Sequence, residues 1–367
     1  MRLWTTESLT QGMRLGKSIR NERGQILINE GIELNEKLIR RLKELGIPFV
    51  YIQDPRTEHI KPGKNITETL RREAISTIEN TFTDLQKNDS LSSSFVIEKA
   101  YRRFSGLIRH IMNDIRSNDE LLTLLADVYT YDNYIFTHSL NVTLYSLAIG
   151  MELKLSSKQL ETLGLGAILH DVGKMLVPVE ILMKPGRLTK EEFEEIKKHS
   201  ETGFHLIRNV QTLPLLVAHC AYQHHERIDG SGYPRGLTGD DIHFFGKIIA
   251  VADVFDAVTS NRVYRSAMLP HEGLEILYAG SGVQFEMKVV EAFRRAVAVY
   301  PNGLGVTLND GRKGIVSRQN VGCSDRPVIE ILEENGEQLE APYELDLNNH
   351  NHLVIAGCDT AQAKINN

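Results

Sequence analysis

Cysteine is scarce in this chain. There are three in 367 residues, Cys220, Cys323 and Cys358, widely spaced and with no C-x-x-C pair. Neither a disulfide framework nor a thiolate zinc site is indicated, and a reducing compartment fits best. Long apolar runs are lacking as well: none approaches the roughly 18 residues of a membrane span. The opening M-R-L-W-T-T-E-S-L-T has no apolar core of the kind a signal peptide needs. A basic excess is also missing. The formal net charge is −6, which gives no support for DNA binding while leaving room for a local basic pocket around a small anion. The expectation is a cytoplasmic protein with no membrane segment and no DNA partner. With 41% hydrophobic and 25% charged residues, the composition is that of an ordinary globular protein.

What the sequence does have is histidine next to aspartate. His170-Asp171 opens the string H-D-V-G-K; His138 lies upstream, His199 and the pair His224-His225 downstream, and Asp253 closes the set. A lone histidine in a helix is usually a packed or surface residue. Adjacent His-Asp and His-His pairs differ, because burying several imidazoles and carboxylates together is costly unless metal or hydrogen bonds satisfy them. Neutral imidazoles suit Fe, Mn, Zn and Ni, and a carboxylate can bridge two ions. A two-metal centre is a standard device for cutting phosphate esters. Lys174, three residues after Asp171 on what reads as one helix from 170 to 174, adds a cation that can neutralise a phosphate or protonate a leaving oxygen. His205 reads as a solvent-side residue and His219 as packing. His59, His110, His243, His271, His350 and His352 read as structural.

The chain divides by pattern. Residues 1–54 predict a small α+β unit, with a strand at 25–28, a helix bearing Leu38, Leu42 and Leu45 between an Asn35 cap and Gly46, and a strand at 49–52. Residues 55–128 predict a linker and a helical region interrupted at 88–94. The helices fit a hairpin or dimer-forming stalk, or equally a cap on the next domain. Residues 129–300 are mostly helical and hold the whole cluster. Thr189 and Glu192 form a capping box for a helix that carries His199 near its C-terminal end. Residues 226–245, rich in glycine, read as a shaped loop. Residues 301–367 predict a β-rich segment with turns at Asn309-Asp310-Gly311 and Asn335-Gly336.

Three motifs in order now resemble those of the HD-GYP family, a branch of the HD-domain metal-dependent phosphohydrolases. They are H-D-V-G-K with its continuation V-P-V-E-I-L-M-K-P-G-R-L-T-K-E-E-F, H-H-E-R-I-D-G-S-G-Y-P-R-G-L at 224–237, and V-A-D-V-F-D-A-V-T-S-N-R-V-Y-R at 251–265. The likeness covers residues 129–300. It implies a mainly α fold with an all-helical HD-type catalytic core, flanked here by the small α+β N-terminal and β-rich C-terminal segments. It implies a phosphodiesterase of bacterial signalling that acts on cyclic di-GMP and gives pGpG, with a second cut to GMP left open. By motif position the metal ligands would be His138, His170, Asp171, His199, His224, His225 and Asp253, with Asp171 bridging two ions. Lys174 would lie near the scissile phosphate, and Arg262 and Arg265 would hold the substrate phosphates, a role that suits the guanidinium fork. Some family members bind a third ion through a glutamate where this chain has Tyr134, so two divalent ions per chain are expected. Iron or manganese is favoured over zinc, which prefers four-coordinate sites. Gln284-Phe285-Glu286-Met287 departs from the family's Asp-Pro after the phenylalanine, outside the ligand set.

Three competing readings remain at this level. One is a catalytically weak sensor or scaffold that meets a signalling protein through the loop around Gly232, Tyr233 and Pro234. Another is a phosphodiesterase for a different cyclic dinucleotide such as cyclic GMP-AMP. The third, a nucleotidase of the wider superfamily, is disfavoured by the GYP motif. A homodimer is open.

Overall fold

The computed structural model describes all residues except 22–24, 64–65, 88–89, 118–133, 185, 261–266 and 360–367. Contacts divide the chain into two compact units, one of residues 1–65, 118–132 and 294–367, the other of 66–117 and 133–293. The whole is mainly α, with a five-stranded sheet near the C-terminal end.

In the first unit, β1 (Arg2–Thr5) pairs antiparallel with β4 (Phe49–Ile52) in the register Arg2↔Ile52. Between them lie β2 (Ile19–Arg20), β3 (Ile26–Ile28) and α1 (Glu36–Glu44). The Asn35 side chain accepts from the Leu38 amide at 2.9 Å, and Gly46 takes φ +67° just past the helix, as the sequence predicts. Leu15, Leu34, Leu42, Val50 and Ile52 form the core here.

The same unit holds β5 (Gly305–Leu308), β6 (Lys313–Arg318), β7 (Val328–Glu334), β8 (Glu337–Asp346) and β9 (Ile355–Asp359), an antiparallel sheet in the order β8-β7-β6-β5-β9. Asn335 and Gly336 both have positive φ, the conformation a two-residue hairpin turn needs. The N-terminal strand and this sheet share one unit: the Leu3 amide donates to the Gly303 carbonyl at 2.8 Å, and the buried Tyr51 hydroxyl donates to the Asn302 carbonyl at 3.0 Å.

The second unit is helical: α2 (Glu68–Lys87), α3 (Ser90–Ser117), α4 (Tyr134–Glu152), α5 (Ser157–Leu169), α6 (Val179–Leu182), α7 (Lys190–Arg208), α8 (Leu215–Gln223), α9 (Phe244–Thr259), α10 (Pro270–Gly280) and most of α11 (Met287–Ala296). The middles of α4 and α9 are buried nearly all round, the mark of helices central to a bundle. They pack on each other, and α4 also packs on α5; α8 packs on α5, α7 and α9. The helices α2 and α3 pack on each other as a hairpin, and the pair lies against α4, α5 and α7.

Three expectations need correcting. The interruption at 88–94 is narrower, since α3 is already helical from Ser90; a run of serines lowers helix propensity without forbidding a helix. His199 sits midway along α7, not near its end, because the apolar face continues through Leu206 and Ile207. Residues 170–174 do not form one helix: α5 stops at Leu169, His170 caps it, and a 3₁₀ turn follows over Val172–Leu176. No helix among the described residues is long and apolar enough to cross a membrane.

Candidate metal centre

The break after α5 creates the site. Gly173 lies so close to α7 that a Cβ there would meet the His199 carbonyl oxygen at 2.0 Å and the Gly203 nitrogen at 2.7 Å. Only a glycine lets the turn press against that helix, and the contact sets His199 of α7 opposite Asp171. His138 comes from near the N-terminal end of α4, His224 from the C-terminal cap of α8 with His225 next, and Asp253 from α9. All seven predicted ligand residues are brought together. Asp171, His170, His199 and His224 are fully out of water, and His225, the most open, is 15% exposed.

Asp171 is the centre of the arrangement. Its Oδ2 lies 3.5 Å from His138 Nε2 and 3.3 Å from His170 Nε2. Its Oδ1 lies 3.3 Å from His199 Nε2 and 3.6 Å from His224 Nε2. Each carboxylate oxygen therefore faces its own pair of imidazoles. Asp253 spans the same space from the other side, with Oδ1 at 3.1 Å from His138 Nε2 and Oδ2 at 3.5 Å from His225 Nδ1. Two groups of side chains could each hold an ion, His138, His170 and Asp171, and Asp171, His199, His224 and His225.

The tautomers are fixed by the backbone. Nδ1 of His170, His199 and His224 lies 2.7, 2.6 and 2.9 Å from the carbonyl oxygens of Ala167, Ile196 and Ala221. A carbonyl only accepts, so each Nδ1 carries the proton and each Nε2 presents a lone pair inward. The Nε2 atoms of His199 and His224 then face each other at 3.3 Å, two lone pairs that repel unless a cation joins them. His170 Nε2 and Asp171 Oδ1 are buried without a hydrogen-bond partner among the described residues. Such groups are costly to leave unsatisfied, and the donor set fits divalent metal.

Electrostatics agree. Burial by itself would raise the Asp171 carboxyl, but His170 and Lys174 outweigh it and hold it well below the usual range. Burial opposes ionisation of Asp253 too, and the hydrogen bond to His138 reverses that. Burial, with Lys174 nearby, pushes His199 down to about 3; burial and His224 lower His225 strongly. These imidazoles stay neutral, as ligands must. His138 is the exception. Burial lowers it, yet its bonds to Asp253 and Asp256 carry it to about 9.

Asp256 is the residue that sequence reasoning missed. Its Oδ2 lies 2.6 Å from His138 Nδ1, and its Oδ1 accepts from Asn141 Nδ2 at 2.9 Å and Ser260 Oγ at 3.1 Å. A carboxylate behind a ligand histidine fixes its ring and raises its basicity. The available signal was its spacing, three residues after Asp253 on one helix. Lys174 Nζ reaches Asp171 Oδ2 at 2.5 Å. Tyr233 of the glycine-rich loop stacks on His225, ring centroids 4.6 Å apart at 29°. Glu226 holds that loop by accepting from the Arg235 and Leu237 amides, both at 2.9 Å. His205 is exposed and His219 packs on Phe204, as expected. Arg262 and Arg265 lie outside the described residues, and so does the Tyr134 side chain.

Residues 112–289 match the family model of the HD domain. The chain is 36% identical over 228 residues to a cyclic di-GMP phosphodiesterase of Pseudomonas aeruginosa, covering 62% of this chain and 55% of that one. It is 34% identical over 241 residues to a cyclic di-GMP phosphodiesterase of Thermotoga maritima, covering 64% of each. These matches support an HD-GYP assignment for the helical region that holds the site. A further relative, a 3′3′-cGAMP-specific phosphodiesterase of Vibrio cholerae, is 37% identical over 185 residues, covering 50% of this chain and 35% of that one. The chain thus spans between a third and two thirds of the length of these relatives.

Proposed function

We propose that this protein is a metal-dependent phosphodiesterase that opens cyclic di-GMP to pGpG, with residues 129–300 as its catalytic domain. The observation that carries the reading is Asp171, whose two oxygens each face a separate pair of inward-pointing imidazoles. His138, His170 and Asp253 would hold one ion, His199, His224 and His225 the other, and Asp171 both. The number of carboxylate and imidazole ligands favours iron or manganese over four-coordinate zinc. When bound, two such ions lower the pKa of a water and neutralise charge on the phosphate.

The chain's own groups supply the rest. The Nδ1 bonds to backbone carbonyls keep the Nε2 atoms of His170, His199 and His224 fixed in direction, so no reorganisation is needed during reaction. Lys174, partly exposed beside Asp171, brings a cation to the scissile phosphate and a proton to the 3′ oxygen. Arg262 and Arg265 clamp the phosphates. Opening the ring consumes one water: its oxygen joins phosphorus, the P–O3′ bond breaks, and the 3′ oxygen takes a proton. The product keeps a 5′-phosphate. The relatives' names include both cyclic di-GMP and 3′3′-cGAMP phosphodiesterases, so the base preference is a matter for direct competition. The protein is expected in the cytoplasm, and a homodimer or a signalling partner at the loop around Tyr233 fits the same reading.

The test is an anaerobic assay of iron- or manganese-loaded protein with cyclic di-GMP and, in parallel, cyclic GMP-AMP, resolving pGpG and GMP by chromatography while counting metal. Turnover with about two metals per chain is the expected result. Tight nucleotide binding without turnover by fully loaded protein would replace the enzyme with a sensor.

A further inference from the structure

The same helix that carries His199 into the metal centre also carries an aromatic side chain out of it. Phe193 lies six residues earlier on α7 and is 45% exposed. It is not an isolated surface residue. Its ring meets Tyr233 edge-on at 6.5 Å and 78°. Tyr233 in turn stacks on His225 at 4.6 Å and lies 6.4 Å from the His199 ring. The rings therefore run without a gap from the metal centre through Tyr233 to Phe193. Lys197, one helical turn after Phe193, places its ammonium 4.9 Å from the Phe193 ring centroid and 5.5 Å from that of Tyr233, and Glu194 holds it there at 2.7 Å.

We propose that Phe193, with Lys197 beside it, is the platform on which a purine base of the substrate stacks while its phosphate lies at the metal centre. A purine offers a flat π face, and aromatic side chains bind such faces with little regard to sequence. The Lys197 ammonium lies where it can meet a base carbonyl or a neighbouring phosphate. A half-exposed ring joined through Tyr233 to the His225 and His199 rings offers a ligand at the metal centre a face to cover. Phe193 is thus a specificity-determining residue: it selects substrates that carry a base and plays no part in breaking the bond.

This inference rests on the cyclic-dinucleotide reading above, and the experiment separates the two. Chelator-treated protein is titrated calorimetrically with cyclic di-GMP, as wild type, Phe193→Ala and Phe193→Trp. Metal-loaded samples are assayed on cyclic di-GMP and on its abasic analogue, a cyclic diester of two riboses that carries no base and no aromatic ring. Phe193→Ala should bind the dinucleotide about tenfold more weakly and raise its KM by a similar factor, with kcat little changed. Phe193→Trp should restore both, and cleavage of the base-free diester should be the same in all three. Unchanged dinucleotide affinity in Phe193→Ala, or an equal loss on both substrates, overturns the platform alone. Wild-type protein that cleaves the base-free diester but neither binds nor cleaves cyclic di-GMP removes the substrate reading and the platform with it.

Discussion

In the β-rich unit the charged groups lie mostly at the surface, with Glu330, paired to His59 at 2.8 Å, the buried exception. The Arg14–Glu33 pair there is 57% exposed on both sides, and the interior is hydrocarbon such as Leu15, Leu34, Val306 and Ile331. In the helical unit Asp171, Asp253 and Asp256 lie in the interior with four buried histidines. A surface pair is worth little to either folding or chemistry. A buried cluster is a liability that becomes useful when a cation completes it. The comparison teaches where to look for consequences: substitutions in the first unit should register as stability alone, and those at the buried cluster as metal content and turnover.

The sharpest way to break that contrast is Asp171→Ala. It removes both oxygens that face the histidine pairs, so metal content should fall and turnover on cyclic di-GMP should drop to background. Measuring both together matters, since a protein with full metal content and normal activity would sink the bridging role. The next largest effect compares two glycines. A Cβ on Gly173 would meet the His199 carbonyl at 2.0 Å, and one on Gly314 would meet the Glu330 carbonyl at 2.3 Å. Each Gly→Ala change forces backbone to move and should cost about 1–3 kcal/mol or more in a denaturant titration. Only Gly173→Ala should also lower metal affinity, because the helix it displaces carries His199. Equal metal affinity in the two variants would show that the turn does not position the ligand.

A smaller effect is expected one layer behind the ligands. Asp256→Asn keeps the size of the side chain and its contact with Asn141 but removes the charge behind His138. A metal titration should show affinity lowered by about 10–100-fold, the usual cost of losing such a partner, with the fold unchanged by circular dichroism. Wild-type affinity would mean that His138 is held well enough by its helix alone.

How much of this was legible beforehand differs between the units in the same way. Ligand residues announce themselves in sequence because their chemistry is rare: His170-Asp171 and His224-His225 are hard to explain as packing, and all seven candidates converge in the structure. Caps and tight turns at Asn35, Thr189 and Asn335-Gly336 were equally readable, being local. Asp256 was not, because one carboxylate among many on amphipathic helices carries no mark until its partner His138, 118 positions away, is placed. The 3₁₀ turn after His170 was missed for a related reason: its cause is the approach of α7 at Gly173, a tertiary fact. The association of the N-terminal strands with the C-terminal sheet was hidden altogether. It rests on backbone and Tyr51 contacts across some 250 residues of sequence, and backbone groups have no sequence signature.

That association supplies the mildest test. The Tyr51 side chain is 3% exposed, and its hydroxyl donates to the Asn302 carbonyl at 3.0 Å. Tyr51→Phe keeps the ring in place and removes that donor, leaving a buried carbonyl to find another. The expected cost is about 1 kcal/mol of stability, seen as a small fall in the denaturant midpoint at unchanged slope. Metal content, kcat and KM should all match wild type, since none of the cluster's residues belongs to this unit. If Tyr51→Phe instead changed turnover at full metal loading, the division between a unit that only folds and a unit that reacts would be wrong, and the strands at the two ends of the chain would have to be counted as part of the machinery.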